Sequence, residues 1–496
     1  MYSNFSTKVT IFDRFAKLYG TYLARNKNFF LSLQIEQIRR LVTKQKTKKK
    51  RGEGKIMIFL AKTWQLQLSV VAAVVVFWLC LVPYRAIMNY HEQTHLFRWT
   101  WTYLQEQAAT PNGWMEYAAS FVTQFFYVGW LGAVIMALLA VGVQALTWAF
   151  MRAVRMNRPW LYPATLIPPA LLFYYVFIPQ AYKTDPQFRE TIEYDYLLRA
   201  QKWDAIVAKS YYRQPETLMG IWCTNRALAQ RNELLDKMFH YRQEGPDGLL
   251  MDAARMNPLT LYSLSDICFD LGLINSAERF AFDAKQLLPD NHKSGRIYRR
   301  LAEANMVNGH YAVAEKYLHI LQSTLFYGRW ADKTLHLLGD EERLNADARY
   351  GWLRACQQKE NDQLAYAKEQ MLAELVKTNP KNRLAADYLL AYEMLRLDLE
   401  GVLTNTLMVR QLGYERTPKA VQECIAGYAI MMHPNDSLPI PIDKDVFHTT
   451  FTFLQTVNST GNRQHPSLDV APCNRSYWHY HSRTATKIRQ QKQQEK

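Results

Sequence analysis

PWLYPATLIPPALLFYYVFIPQAY, residues 159–182, is followed at once by KTDPQFRETIEYDYLLRA. The reading of this junction decides the fold. Upstream the chain is built from long apolar runs; downstream no window is apolar enough to cross a bilayer. The last of the apolar runs therefore sets the compartment in which everything after it works.

Working back from it, LQLSVVAAVVVFWLCLV at residues 66–82 carries no charge. At roughly 1.5 Å rise per residue it just crosses a hydrocarbon core about 30 Å thick. Trp64, Trp78 and Tyr84 bracket it as interfacial aromatics do. Residues 117–150 form a second apolar stretch, longer than one span needs. Either the helix is strongly tilted, or residues 118–127 lie along the interface first. Gly129, Gly132, Ala133, Ala137 and Ala140 permit close helix approach. Spans are thus expected near 66–82, 121–150 and 160–181. The third, with Pro163, Pro168, Pro169 and Pro179, is expected to be kinked and packed on the other two.

The formal charge of +16 is unevenly placed. Residues 1–56 hold fourteen Lys/Arg against three Asp/Glu, a balance of +11, which leaves +5 for the rest. A basic end beside a span reads as a topology signal or a lipid-headgroup contact, and the remainder lacks the concentrated patch that nucleic acid demands. Ten Lys/Arg lie between Arg39 and Lys62, only Arg85 and Arg98 between the first two spans, and Arg152, Arg155 and Arg158 in the next turn. The positive-inside bias puts the N-terminus and the 151–158 turn in the cytoplasm and everything after residue 182 outside it, the periplasm for a bacterial inner membrane. Residues 1–56 admit two readings. One is a basic arm touching anionic lipid. The other is an untranslated leader before a start at Met57, because codons for Arg51–Gly52–Glu53–Gly54–Lys55 can be almost purely purine, like a ribosome-binding site.

Residues 183–432 read as repeated helix pairs. In GLINSAERFAFDAKQLLP, Gly272, Ala277, Ala284 and Pro289 fall at the offsets of a tetratricopeptide unit. Gly309 and Ala314 repeat the interval of five, and Ala200 and Ala205 take the equivalent places upstream. These alanines and glycines are the expected repeat-packing positions. A single pair cannot cover its own apolar face, so an all-α stack, a TPR-like solenoid, is the expected fold after the three spans. Residues 433–496 read as a Pro-rich cap and then a polar, disordered tail. Cys80, Cys223, Cys268, Cys356, Cys424 and Cys473 form no CxxC pair; they read as buried small hydrophobes, with one disulfide among the last five as the other reading.

Several blocks carry a resemblance. They are His91 to Met136 with its Glu92-Gln93 and Gln124-Phe125-Phe126-Tyr127, the Gly245-Pro246-Asp247-Gly248-Leu249 turn, and Tyr477-Trp478. Together they resemble an uncharacterised family of bacterial polytopic membrane proteins with C-terminal tetratricopeptide-like repeats. The resemblance implies that architecture and no activity.

One motif carries chemistry. His91-Glu92-Gln93-Thr94-His95 matches HExxH, in which two histidines one helical turn apart bind zinc and the glutamate activates water. Glu116, 21 residues on, is the candidate third ligand. Against it, a loop of about 33 residues is short for a metalloprotease domain, and a structural helix at the membrane interface is the plainer reading. His479 and His481 sit at strand-like spacing. No GxGxxG before a helix, P-loop or GxSxG occurs. The expected function is a membrane-anchored scaffold without cofactor or nucleic acid, contacting the bilayer and binding a protein or peptide on its repeats. The alternative is a membrane zinc protease with Glu92 as base.

Overall fold

The computed structural model describes residues 63–156, 158–250, 257–288, 293–357, 368–412, 416–432, 440–459 and 475–494; the arm at 1–56, Pro289, Cys473 and the proline-rich 433–439 lie outside them. Every regular element is helical, and no strand occurs among the described residues. The chain divides into a small unit, residues up to Ala73 with Gln144–Leu166, and a large one, Val74–Val143 with Ile167 onward.

Among the described residues three helices are long and apolar enough to cross a membrane: Thr63–Leu81 (α1), Gly129–Ala153 and Pro159–Phe177. Between the first two lie α2 (Arg85–Thr94), α3 (Trp101–Ala108) and α4 (Gly113–Thr123). The second apolar helix, α5, starts at Gly129 and not near residue 121. Gln124–Tyr127 is a 3₁₀ turn and Val128 is extended, at φ −100° and ψ 111°. The rings of Phe125 and Tyr127 instead pack on Phe326, and Tyr127 also on Tyr327. The third apolar helix is uneven: a 3₁₀ segment (Pro159–Leu166), α6 (Ile167–Leu172) and a π turn (Phe173–Phe177). Its prolines supply no N–H to an α-helical ladder, and the hydrogen-bond step changes around them. It ends at Phe177, short of the expected 181, because Ile178 is extended and Pro179 opens α7 (Gln180–Thr184). Val70, Val71, Val74 and Val75 on α1, and Leu138, Leu146 and Phe150 on α5, point outward and exposed, as a lipid solvent requires.

In the small unit, the Tyr162 ring receives Trp64 and Trp148 edge-on and its hydroxyl meets Ser69 Oγ at 2.8 Å. Gln144 Nε2 donates to Thr165 Oγ1 at 3.2 Å, so the buried polar groups of these apolar segments satisfy one another.

In the large unit the helices after α7 come largely as hairpins. These are α8 (Pro186–Arg199) with α9 (Trp203–Tyr212), α10 (Leu218–Gln230) with α11 (Leu234–Lys237), α12 (Pro258–Leu271) with α13 (Ile274–Gln286), and α14 (Gly295–Val307) with α15 (Tyr311–Gln322). Shorter helices follow: α16 (Gly328–Leu335), α17 (Glu341–Ala346), α18 (Tyr350–Cys356) and α19 (Lys368–Thr378). Then α20 (Arg383–Arg396) pairs with α21 (Leu399–Gln411), before α22 (Lys419–Met432), α23 (Lys444–Ser459) and α24 (Tyr477–Gln494). Local sequence starts the helices. Asp185 caps α8 ahead of Pro186, Thr217 caps α10, and Asn257 with Thr260 forms a capping box ahead of α12.

Five hairpins turn in the same way. The residue closing the first helix is left-handed: Gln201 (φ 51°), Asn232 (57°), Gly272 (96°), Gly309 (80°) and Leu397 (65°). The next N–H then reaches back five residues: Lys202 to Leu197, Glu233 to Leu228, Leu273 to Cys268, His310 to Asn305 and Asp398 to Glu393, at 2.8–3.1 Å. This is the Schellman closure, which uses carbonyls the helix end leaves free. Five residues after the left-handed one comes a fully buried side chain in four of the hairpins: Ile206, Ala277, Ala314 and Val402. The expected register at Ala200 and Ala205 is therefore one residue off; both are exposed, and Gln201 and Ile206 take those roles. Ala284 is also fully buried, and a Cβ on Gly272 would lie 2.8 Å from Cys356 Cβ. The five described cysteines are buried free thiols.

The last helices pack back on the second hairpin. α11 meets α20 and α22, and the Phe239 ring lies 5.4 Å from that of Tyr477 and 5.2 Å from that of Tyr480. The polar tail is helical through Gln494, and His479 and His481 ride on that helix and not on a strand.

Glu393, on α20, is fully buried and neither carboxylate oxygen has a hydrogen-bond partner; Arg396 comes only to 3.7 Å. Burial, with the charge of Glu369 nearby, pushes its carboxyl up to about 7. Between about pH 4.5 and 7 the folded protein keeps a proton that the unfolded chain has lost, so stability falls as pH rises through that window. The loss is of the order of 2–3 kcal/mol. Thermal midpoints measured from pH 4.5 to 8 should fall for the wild type and lose most of that slope in Glu393→Gln. Equal slopes in the two proteins would refute it.

Candidate functional site

The HExxH residues sit at the C-terminal end of α2, and their side chains are already engaged. The helix stops at Thr94 and His95 is extended (φ −131°, ψ 134°). His91 Nε2 donates to the Phe177 carbonyl at 2.7 Å, and His95 Nδ1 donates to the His91 carbonyl at 3.0 Å. Burial, opposed by that Phe177 bond and reinforced by His95, lowers the His91 pKa to about 4, so the ring is neutral. Glu92 is 4% exposed. One of its oxygens is ion-paired with Arg199, and the other accepts from Tyr327 Oη at 2.9 Å. Glu116 lies 3.9 Å from His95 Nε2. Among the described residues no three His, Cys, Asp or Glu side chains gather where they could hold a metal. The four residues expected to form a zinc site, His91, His95 and Glu116 with Glu92 as base, are thus not gathered around one point: Glu92 is paired with an arginine, and His95 lies beyond the helix end.

What the block does in this structure is join α2 to the helix hairpins. Beside Glu92, Gln93 Nε2 donates to Asp195 Oδ2 at 2.8 Å and its Oε1 accepts from Arg296. Arg296 continues to Asp195 (2.9 Å) and Asp266 (2.5 Å). Arg300 joins Asp266 (2.7 Å) to Glu303 (3.1 Å), Arg299 and Arg349 also reach Glu303, and Arg226 pairs with Asp270 at 2.5 Å. Burial alone would raise the Asp266 carboxyl, but the guanidinium groups of Arg296, Arg300 and Arg226 outweigh it and hold the group well below the usual range. Glu303 is likewise lowered, burial being overcome by Arg300, Arg349 and Arg299.

This network walls a cavity of about 420 Å³ lined by seven arginines: Arg85, Arg199, Arg226, Arg296, Arg299, Arg300 and Arg349. Asp266, Asp270, Glu303, Asn89, Tyr127, Tyr196, Trp203 and Tyr327 also line it. A second cavity of about 510 Å³ shares Gln201, Trp203, Asp270 and Arg349 with the first and adds Lys381, Arg383 and Asp387. A third, also about 510 Å³, is apolar and lies among α2, α4, α5 and α6, with His91 and His95 in its wall. The arginine cavity was not singled out from the sequence. The one signal for it is the i, i+3, i+4 spacing of Arg296, Arg299 and Arg300, which sets all three on one face of α14. Arg85, Arg199 and Arg226 come from three other helices and Arg349 from the turn before α18, and they share no spacing.

An all-helical chain, with three helices able to cross a membrane and a helix-hairpin array around an ionic cavity, is the class these features define. The chain belongs to the family of unknown function DUF6057, whose model matches residues 60–184 and 174–483. Neither the curated proteins nor the solved structures searched contain a match.

Proposed function

We propose that this protein is a membrane-anchored binding module: three spans hold TPR-like repeats outside the cytoplasm, and the arginine cavity is where a partner is engaged. The observation that carries this reading is the cavity itself. Its wall is shared between α2, which directly follows the first apolar helix, and the hairpin helices α8, α9, α10, α12 and α14. A ligand there touches the anchor and the repeats together. The orientation rests on the clustered arginines at 152, 155 and 158 and the sparse basic residues between the first two apolar helices.

Two measurements test it. Alkaline phosphatase fused after the last residue should be active, and a fluorescent protein there dark; the reverse pattern overturns the sidedness. A photo-crosslinking residue at Gln201, in the cavity wall, should capture a species in cells that the same probe at Phe282, an exposed side chain on α13, does not. Identical patterns from the two positions would count against the cavity as the binding site.

A further inference from the structure

The chemistry of the cavity wall identifies what it takes. Seven guanidinium groups face three carboxylates in the lining, and two more, Glu92 and Asp195, stand directly behind it. The cluster therefore keeps an excess of two positive charges after every acid is counted. Its unpartnered buried polar atoms are all donors: Asn89 Nδ2, Arg226 Nε and Nη1, and Arg300 Nε. Each of these side chains is at least nine-tenths buried. Arg85, in the same wall, has no carboxylate partner among the described residues; it donates to the Phe126 carbonyl and lies over the Tyr196 ring. A network that served only to dock α2 would leave no such surplus, since a buried donor without an acceptor is costly.

We propose, resting on the binding-module reading, that the cavity binds a phosphate monoester: a dianion held by the surplus positive charge of the guanidinium groups that line it, Arg85, Arg226 and Arg300 among them. Such a group carries a charge of about −1.5 to −2 at neutral pH, which matches the surplus, and guanidinium forks suit its oxygens. The cavity volume admits a small phosphorylated molecule. Tyr127 and Arg85 lie two and four residues from the ends of apolar helices, so a lipid headgroup of the same chemistry also reaches it.

The test uses the full chain in phosphatidylcholine nanodiscs, titrated with glycerol 3-phosphate by calorimetry. In a second arm, phosphatidic acid retained by the purified protein is quantified by native mass spectrometry. Saturable binding in the first arm assigns a soluble ligand, and retention in the second a lipid headgroup; either supports the proposal. Arg226→Gln should weaken the binding at least tenfold. Arg85→Gln, which breaks no ion pair among the described residues, should weaken it several-fold. Arg279→Gln, on an exposed face of α13, should leave it unchanged. No binding in either arm by folded wild-type protein, or affinity unaltered in Arg85→Gln and in folded Arg226→Gln, overturns the proposal. Those failures leave the crosslinking and topology results standing, whereas a cytoplasmic C-terminus would overturn the sidedness and not the titration.

Discussion

Glu92→Leu is expected to destabilise the large unit by about 3–5 kcal/mol, the usual cost of stranding one member of a buried ion pair. Arg199 would keep only Asn89 Oδ1 at 2.8 Å and the Tyr327 hydroxyl at 3.0 Å, neither of them charged. Glu92→Gln preserves the shape but not the charge, and should lose roughly half as much. The double variant Glu92→Leu with Arg199→Met should recover part of the loss, because it removes the orphaned cation together with the carboxylate. Denaturation in detergent of the wild type, the two single variants and the double variant measures the coupling. The outcome also tests the docking role of the same glutamate. A docking residue contributes to stability, so a Glu92→Gln protein as stable as wild type would remove the docking role.

That glutamate shows where sequence reasoning reached and where it stopped. The three apolar runs were legible because a bilayer demands length and composition, and both are local properties. The start of α5 was not, because hydrophobicity does not say whether a ring meets lipid or protein; Phe125 and Tyr127 meet Phe326. The hairpin turns divide in the same way. Gly272 and Gly309 advertise their left-handed backbone. Asn232 is the usual alternative to glycine there, whereas Gln201 and Leu397 adopt the same conformation without a residue that signals it. That is why the first repeat was set one position early. His91 to His95 matched a motif by residue type, but the partners that decide its chemistry, Arg199 and Tyr327, lie more than 100 residues away. The tail misled for the opposite reason. Its distal residues offer no apolar face, yet they continue a helix anchored by the first turn of α24.

That anchoring turn gives the second large expected effect. Trp478 Nε1 donates to the Glu423 carbonyl at 3.0 Å, the Tyr477 N–H donates to Glu423 Oε2 at 2.9 Å, and Tyr480 Oη donates to the Leu395 carbonyl at 2.8 Å. The indole lies flush on Gly427 of α22: a Cβ there would sit 1.7 Å from Trp478 Cζ2. Neither backbone nor ring has room, so Gly427→Ala must expel the indole and release the start of α24. The expected cost is about 2–4 kcal/mol, close to the roughly 3–5 kcal/mol of Trp478→Ala itself. The decisive comparison is the same glycine substitution in a Trp478→Ala background. With the ring gone, Gly427→Ala should turn stabilising by about 0.5–1 kcal/mol, the ordinary gain of alanine over glycine inside a helix. Thermal unfolding of the four proteins reads the change of sign, and hydrogen exchange across residues 477–494 reports whether the helix has come loose. If Gly427→Ala costs the same with and without the indole, the two residues do not compete for one space, and α24 is held to α22 by something other than this contact.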